Sequence, residues 1–274
     1  MKAFFAYFVK FSVSFLVLLL FASLMHLKRI EKQIDAALVD EKSILLGDSH
    51  AAQLDLPNCH EISAAGSSLY LPYFFLKKNA LSIPKEKVIC ISLWHENLNT
   101  DSEHSSLGNF SGVKGLKKYA EASTILGIEH LLELPKFKSR ILFLLASLSF
   151  QSSILNNAGT CFEGRFKGEI DFSFGEKSFN SKNRAITAIN SIAKRHGLKL
   201  LWVISPQIST SSKAIQEKNS IIDSILTPDL SKNVQILDLR KLELPLSSFR
   251  DMHHINCDSR DTINYLFKRK LTEF

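Results

Sequence analysis

The sequence predicts an α/β fold, a parallel sheet covered on both faces, set behind a separate apolar N-terminal helix. From residue 43 onward short apolar runs alternate with helical patterns, the order that βαβ units produce. Several of those runs are rich in Ile, Val or Leu, as strands buried on both faces require. The third observation is the apolar stretch 3–27, AFFAYFVKFSVSFLVLLLFASLMHL, which belongs to no such unit.

Taken in order, that first stretch is long enough to cross a bilayer as a helix and is interrupted only by Lys10, whose long side chain can reach the interface. Its densest part, Phe11 to Leu27, exceeds a signal-peptide core, and no A-x-A-like cleavage site follows. A retained signal anchor over residues 1–28 is therefore expected, with the N-terminus inside and the domain outside. Lys28, Arg29 and Lys32 weaken the charge asymmetry that sets orientation. Residues 29–42 read as a charged helical or flexible connector. The remaining residues, 43–274, make one domain of ordinary to large size.

Within that domain the candidate strands are 43–46, 59–64, 87–93, 199–205 and 234–239. Helices are expected over 69–81, 180–196, 212–226 and 260–272, the second closing at Gly197 as a helix C-terminus should. Residues 100–182 break the alternation and form an insertion between the third and fourth strands. Inside it, ILFLLASLSF at 141–150 is too short to span a membrane. It reads as a buried helix, with a lid or membrane-facing helix as the alternative.

The formal charge of +7 favours anionic surroundings such as lipid headgroups or acidic glycans. Its basic residues are scattered in pairs, including Lys77-Lys78 and Lys194-Arg195, without the basic, aromatic-interleaved platform of nucleic-acid modules. Nucleic acid is thus not expected as a partner. The 4 cysteines, Cys59, Cys90, Cys161 and Cys257, form no CxxC pair and no zinc spacing, so neither metal nor cofactor is expected. Cys90 reads as a buried small hydrophobe. An even count in an oxidising compartment permits a disulfide, but no pairing is assigned.

Chemistry concentrates at two places. Gly47-Asp48-Ser49-His50 follows the first strand, where an α/β sheet presents its ligand site at the carboxyl end. Serine alone is a weak nucleophile and needs a base held by a third group. Asp251-Met252-His253-His254-Ile255-Asn256 follows the last strand and offers that pair, because Asp251 and His254 are three apart and share one side of a turn. Taken singly, Asp48 or Ser49 capping a helix explains the first element, and His50 either lines the site or caps. His253 stands one position short of the spacing and reads as a neighbour.

Together these residues resemble the SGNH, or GDSL-type, hydrolase superfamily. ILLGDSHAAQL is similar to its first block and DMHHIN to its last, and GDSHAAQL looks like the SGNH domains associated with acyltransferases of bacterial surface polysaccharides. The resemblance implies a three-layer α/β/α flavodoxin-like domain, with Ser49 as nucleophile, His254 as general base and Asp251 as its orienter. It also implies an oxyanion hole built from the backbone N–H groups of Ser49 and of Gly66, in ISAAGSS. The third block departs from the family: ISLWHENLN stands where most members carry Gly-x-Asn-Asp. Trp94 or His95 falls near the asparagine position and Asn97 lies two to three residues on, so His95 and Asn97 both remain candidates for the third donor.

The implied function is a membrane-anchored, extracytoplasmic serine esterase or O-acyltransferase acting on acyl, above all acetyl, esters of an extracellular glycan. A membrane acyl-donor protein is then an expected partner. A lipid-ester hydrolase and a non-catalytic glycan-binding or assembly protein of the same fold are the alternatives.

Overall fold

The computed structural model describes residues 2–40, 43–54, 56, 59–63, 69–94, 184–208, 213–227, 231–251 and 254–274. The expected insertion at 100–182, with its apolar segment 141–150, lies outside the described residues.

Five strands form one sheet: β1 (Ser43–Gly47), β2 (Cys59–Ser63), β3 (Val88–Leu93), β4 (Lys199–Ile204) and β5 (Val234–Asp238). Their order is β2-β1-β3-β4-β5, and every neighbouring pair is parallel. The helices are α1 (Lys2–Val39), α2 (Ser49–Leu54), α3 (Tyr70–Asn79), α4 (Arg184–His196), α5 (Lys213–Leu226) and α6 (Arg260–Leu271). This strand order places the reversal of winding between β1 and β3, the crevice where flavodoxin-like sheets hold ligands.

Side-chain alternation along the strands sorts the core into two layers. Ile44, Leu46, Ile89, Ile91, Leu200, Trp202 and Ile204 point to one face, where they meet Phe75 of α3, Ile189 of α4 and Ile222 of α5. Leu45, Cys90, Leu201 and Val203 point to the other, against Ala51 and Leu54 of α2 and Ile263 and Phe267 of α6. The result is a three-layer α/β/α arrangement. Trp202 is fully buried yet polar at one edge, and its Nε1–H donates to Asn190 Oδ1 of α4 at 2.9 Å. Arg240, just after β5, donates to Asp238 and to Asp223 of α5, which holds its loop to the sheet.

The long first helix crosses residue 28 without interruption, so the segment expected as a connector continues as helix to Val39. Its last turns belong to the domain: Ile34, Ala37 and Leu38 are buried, and Ile34 and Leu38 join the α3 side of the core. Lys87, immediately before β3, donates from Nζ to the carbonyls of Ala37, at 2.6 Å, and Asp40. That contact satisfies carbonyls that a helix end leaves without intrahelical partners. Burial pulls the Lys87 ammonium below its ordinary pKa, against the opposing charges of Asp40 and Glu86. Asp40 also meets His60 of β2, Oδ2 to Nε2 at 2.9 Å.

Further toward the N-terminus α1 exposes Phe4, Phe5, Phe8, Phe11, Phe15 and Phe21. Among the described residues, no helix is long and apolar enough to cross a membrane. Several side chains of the 3–27 stretch, including those of Leu16, Leu19 and Leu20, lie outside the described set.

Candidate active site

The site is built where β1 stops. Gly47 is required by close approach: a Cβ there would stand 2.9 Å from both Ala51 Cβ and Ser92 Cβ, inside the contact limit of either atom. Asp48 follows, buried, and its Oδ1 accepts the His50 backbone N–H at 2.9 Å. The carboxylate therefore caps the turn, while its main-chain carbonyl accepts the N–H of Ala51 at 3.1 Å. Ser49 is the first residue of α2, at the carboxyl end of the sheet beside the β1/β3 switch point. Its side chain lies outside the described set.

The second part comes from the chain after β5. Phe249 and Ile255 form an antiparallel bridge, and the Arg250 N–H donates to the His254 carbonyl at 2.8 Å. Between them the chain turns back on itself. Asn256 secures the turn from below, donating from Nδ2 to the Ser247 carbonyl at 2.5 Å and accepting the Asp258 N–H at 3.0 Å. Within the turn Asp251 Oδ1 accepts the His254 N–H at 2.8 Å, and both carboxylate oxygens stand 3.0 Å from His254 Nδ1. An anionic carboxylate can only accept, so the proton is assigned to Nδ1 and Nε2 is left unprotonated in the neutral ring.

Two contacts join the parts across some two hundred residues. Gln53 Oε1, on α2, accepts the Ile255 N–H at 2.7 Å. The imidazole of His50 stacks on that of His254, with ring centroids 4.8 Å apart and planes 21° from parallel. On its other side His50 stacks on Trp94 at 4.0 Å and 29°. Trp94 directly follows β3, so the ends of β1 and β3 meet the turn that carries His254.

The His254 pKa is held below the ordinary histidine value of 6.5. Burial is the main cause and the neighbouring His50 adds to it, while Asp251 and Asp48 oppose it. At neutral pH the ring is uncharged, the form a general base needs.

Of the residues singled out in the sequence, the structure brings together Asp48, His50, Trp94, Asp251 and His254 with the backbone of Ser49. Gly66, His95, Asn97 and His253 lie outside the described residues. Gln53 was not singled out, although a glutamine one turn after Ser49, beside the core residues Ala51 and Leu54, signals a buried polar contact. Of the cysteines, whose pairing the sequence left open, Cys257 is disulfide-bonded. It opens a short 3₁₀ turn, Cys257–Ser259, three residues after His254, and pairing of this kind follows spatial approach and not sequence spacing. Cys59 and Cys90 are free, and burial raises the Cys90 thiol well above its usual pKa. Among the described residues no cluster of His, Cys, Asp and Glu could hold a metal ion.

No family model matches the chain, and no curated protein matches it. Among solved structures it is similar to a Bacteroides fragilis protein described as a "putative acylhydrolase", at 10% identity and TM-score 0.45, covering 88% of this chain and 93% of that one.

Proposed function

We propose that the chain is a membrane-anchored serine enzyme of SGNH type that cleaves or transfers acyl esters, acetyl foremost, on an extracellular glycan. One observation carries the reading: the Asp251–His254 pair lies against His50, the residue next to Ser49. It supports Asp251 as orienter, His254 as base and Ser49 as nucleophile, on the pattern of a serine triad.

In this reading Ser49 Oγ attacks the acyl carbonyl as His254 Nε2 takes its proton. Asp251 fixes the ring and stabilises the imidazolium. The proton then passes to the departing alcohol, leaving an acyl-Ser49 ester. Water or a sugar hydroxyl gives its proton to His254 and attacks that ester, restoring the serine. The backbone N–H groups of Ser49 and Gly66 serve the oxyanion, with His95 or Asn97 as third donor.

The apolar stretch 3–27 and the exposed aromatic side chains of α1 support an anchor. The disulfide at Cys257 supports an oxidising, extracytoplasmic compartment. A membrane acyl-donor protein fits the transferase form of the reaction.

The test is fluorophosphonate labelling of the purified full chain in detergent, with turnover of aryl acetate and of acetylated glycan. Ser49→Ala and His254→Ala should each abolish the label. A folded wild-type chain that takes no label and turns over no ester would favour a glycan-binding or assembly role. Preference for long acyl chains would identify a lipid-ester hydrolase. A C-terminal reporter found in the cytoplasm would overturn the orientation.

A further inference from the structure

We propose that His50 is a positioning residue for the base: held between Trp94 and His254, its ring sets the plane in which His254 presents Nε2 to Ser49. The inference rests on the ester-cleaving reading of Ser49 and His254 and goes beyond it, since that chemistry assigns His50 no part.

The geometry carries the argument. His50 is 2% exposed and is the middle of three stacked rings, 4.0 Å from Trp94 and 4.8 Å from His254. Its own backbone N–H is fixed on Asp48 Oδ1 at 2.9 Å, and Nδ1 stands 3.3 Å from the same oxygen. A base must be held in orientation as well as in reach, and in a triad the carboxylate does this at one edge of the imidazole. Here Asp251 meets that edge, but an edge contact leaves the ring able to roll about the Nδ1 bond. A flat, immobile neighbour on the face removes that freedom. His50 is immobile because Trp94 closes its far face and Asp48 holds its near edge.

A helix-cap role does not account for the side chain, because the cap is made by Asp48 and needs only the backbone of His50. Nor does packing: Nε2 of His50 is buried with no hydrogen-bond partner, an arrangement that costs stability and that an apolar ring would avoid. The imidazole also acts on charge. Among the described residues, the titratable groups facing His254 are Asp251 from its own turn and Asp48 and His50 from the β1–α2 turn. His50 lowers the His254 pKa, second only to burial.

The test uses the full chain in detergent, with histidine rings isotopically labelled, and compares wild type with His50→Ala and His50→Phe. Two quantities are read: the plateau rate of fluorophosphonate labelling at Ser49, and the titration midpoint of His254 by nuclear magnetic resonance. Loss of the stacking face in His50→Ala should lower the plateau rate by roughly tenfold to a hundredfold, the scale of a misplaced catalytic group. His50→Phe, which keeps a flat ring, should restore most of that rate. In both variants the His254 midpoint should move to higher pH.

Unchanged labelling and an unmoved midpoint in both variants overturn the proposal. So does a rate loss that phenylalanine fails to rescue while the midpoint stays put, which is the mark of packing alone. If His50→Ala does not fold, His50→Phe carries both readouts: a wild-type plateau rate with a raised midpoint supports the role. A folded wild-type chain that takes no label overturns the ester reading itself, whereas labelled wild type with unaffected variants overturns the positioning role alone.

Discussion

The two ends of the sheet treat their buried polar groups in opposite ways. At the amino end the buried Lys87 occupies carbonyls at the close of α1, and the half-buried Asp40 and His60 pair. At the carboxyl end His50 Nε2, Ser92 Oγ and Ser205 Oγ are buried with none. An unmade buried hydrogen bond costs about 1–3 kcal/mol. Among the described residues, these orphaned atoms gather at the edge where the candidate site lies.

Four substitutions or conditions can break or sharpen that contrast. The largest effect is expected from Asp251→Asn, which replaces the anionic acceptor at His254 Nδ1 by a neutral amide that can also donate. Labelling at Ser49 should fall by roughly two to four orders of magnitude, with the thermal midpoint close to wild type because the Asp251 side chain is 46% exposed. An equal fall in thermal midpoint and in labelling would erase the distinction between the two ends.

Leu38→Ala should do the reverse. Leu38 lies in the core near the amino end, and its truncation should cost about 2–5 kcal/mol of stability, read by chemical denaturation. The labelling rate of the folded fraction should not change. Gly47→Ala stands between them, because the added methyl meets Ala51 on α2 and Ser92 on β3. An overpacking loss of about 1–3 kcal/mol should come with slower labelling, since α2 carries Ser49.

The smallest effect is in the pH dependence. His254 titrates below 6.5 in the fold, so between that folded value and the unfolded value near 6.5 the unfolded chain binds more protons. Stability is then highest above pH 6.5 and declines as the pH falls through that window, while labelling keeps its rate to a lower pH than an ordinary histidine allows. A labelling profile whose acid limb lies at or above 6.5 would contradict the burial of His254.

Much of the architecture was legible because it is written locally. The five expected strands agree with the observed ones to within one residue at each end, since an apolar run bounded by polar turns carries its own period. The helix expected over 212–226 is observed as Lys213–Leu226, and that over 260–272 as Arg260–Leu271. Past residue 28 the apolar run ends but the helix does not, and α1 continues to Val39, the helical of the two forms expected for the connector. The carbonyls at the close of α1 are taken by Lys87, nearly fifty residues away.

By itself, then, the sequence determined the alternation of strand and helix, the placing of Gly47-Asp48-Ser49-His50 after the first strand, and the three-residue spacing of Asp251 and His254. These depend on interactions spanning a few residues, and backbone geometry makes them periodic. Only the tertiary structure decided that Gln53 would receive the Ile255 N–H, that Cys257 would be oxidised, and that His50 would lie between Trp94 and His254. Each joins segments far apart in the chain, and such contacts form only when the packing of the whole sheet and its two helical layers brings them within reach.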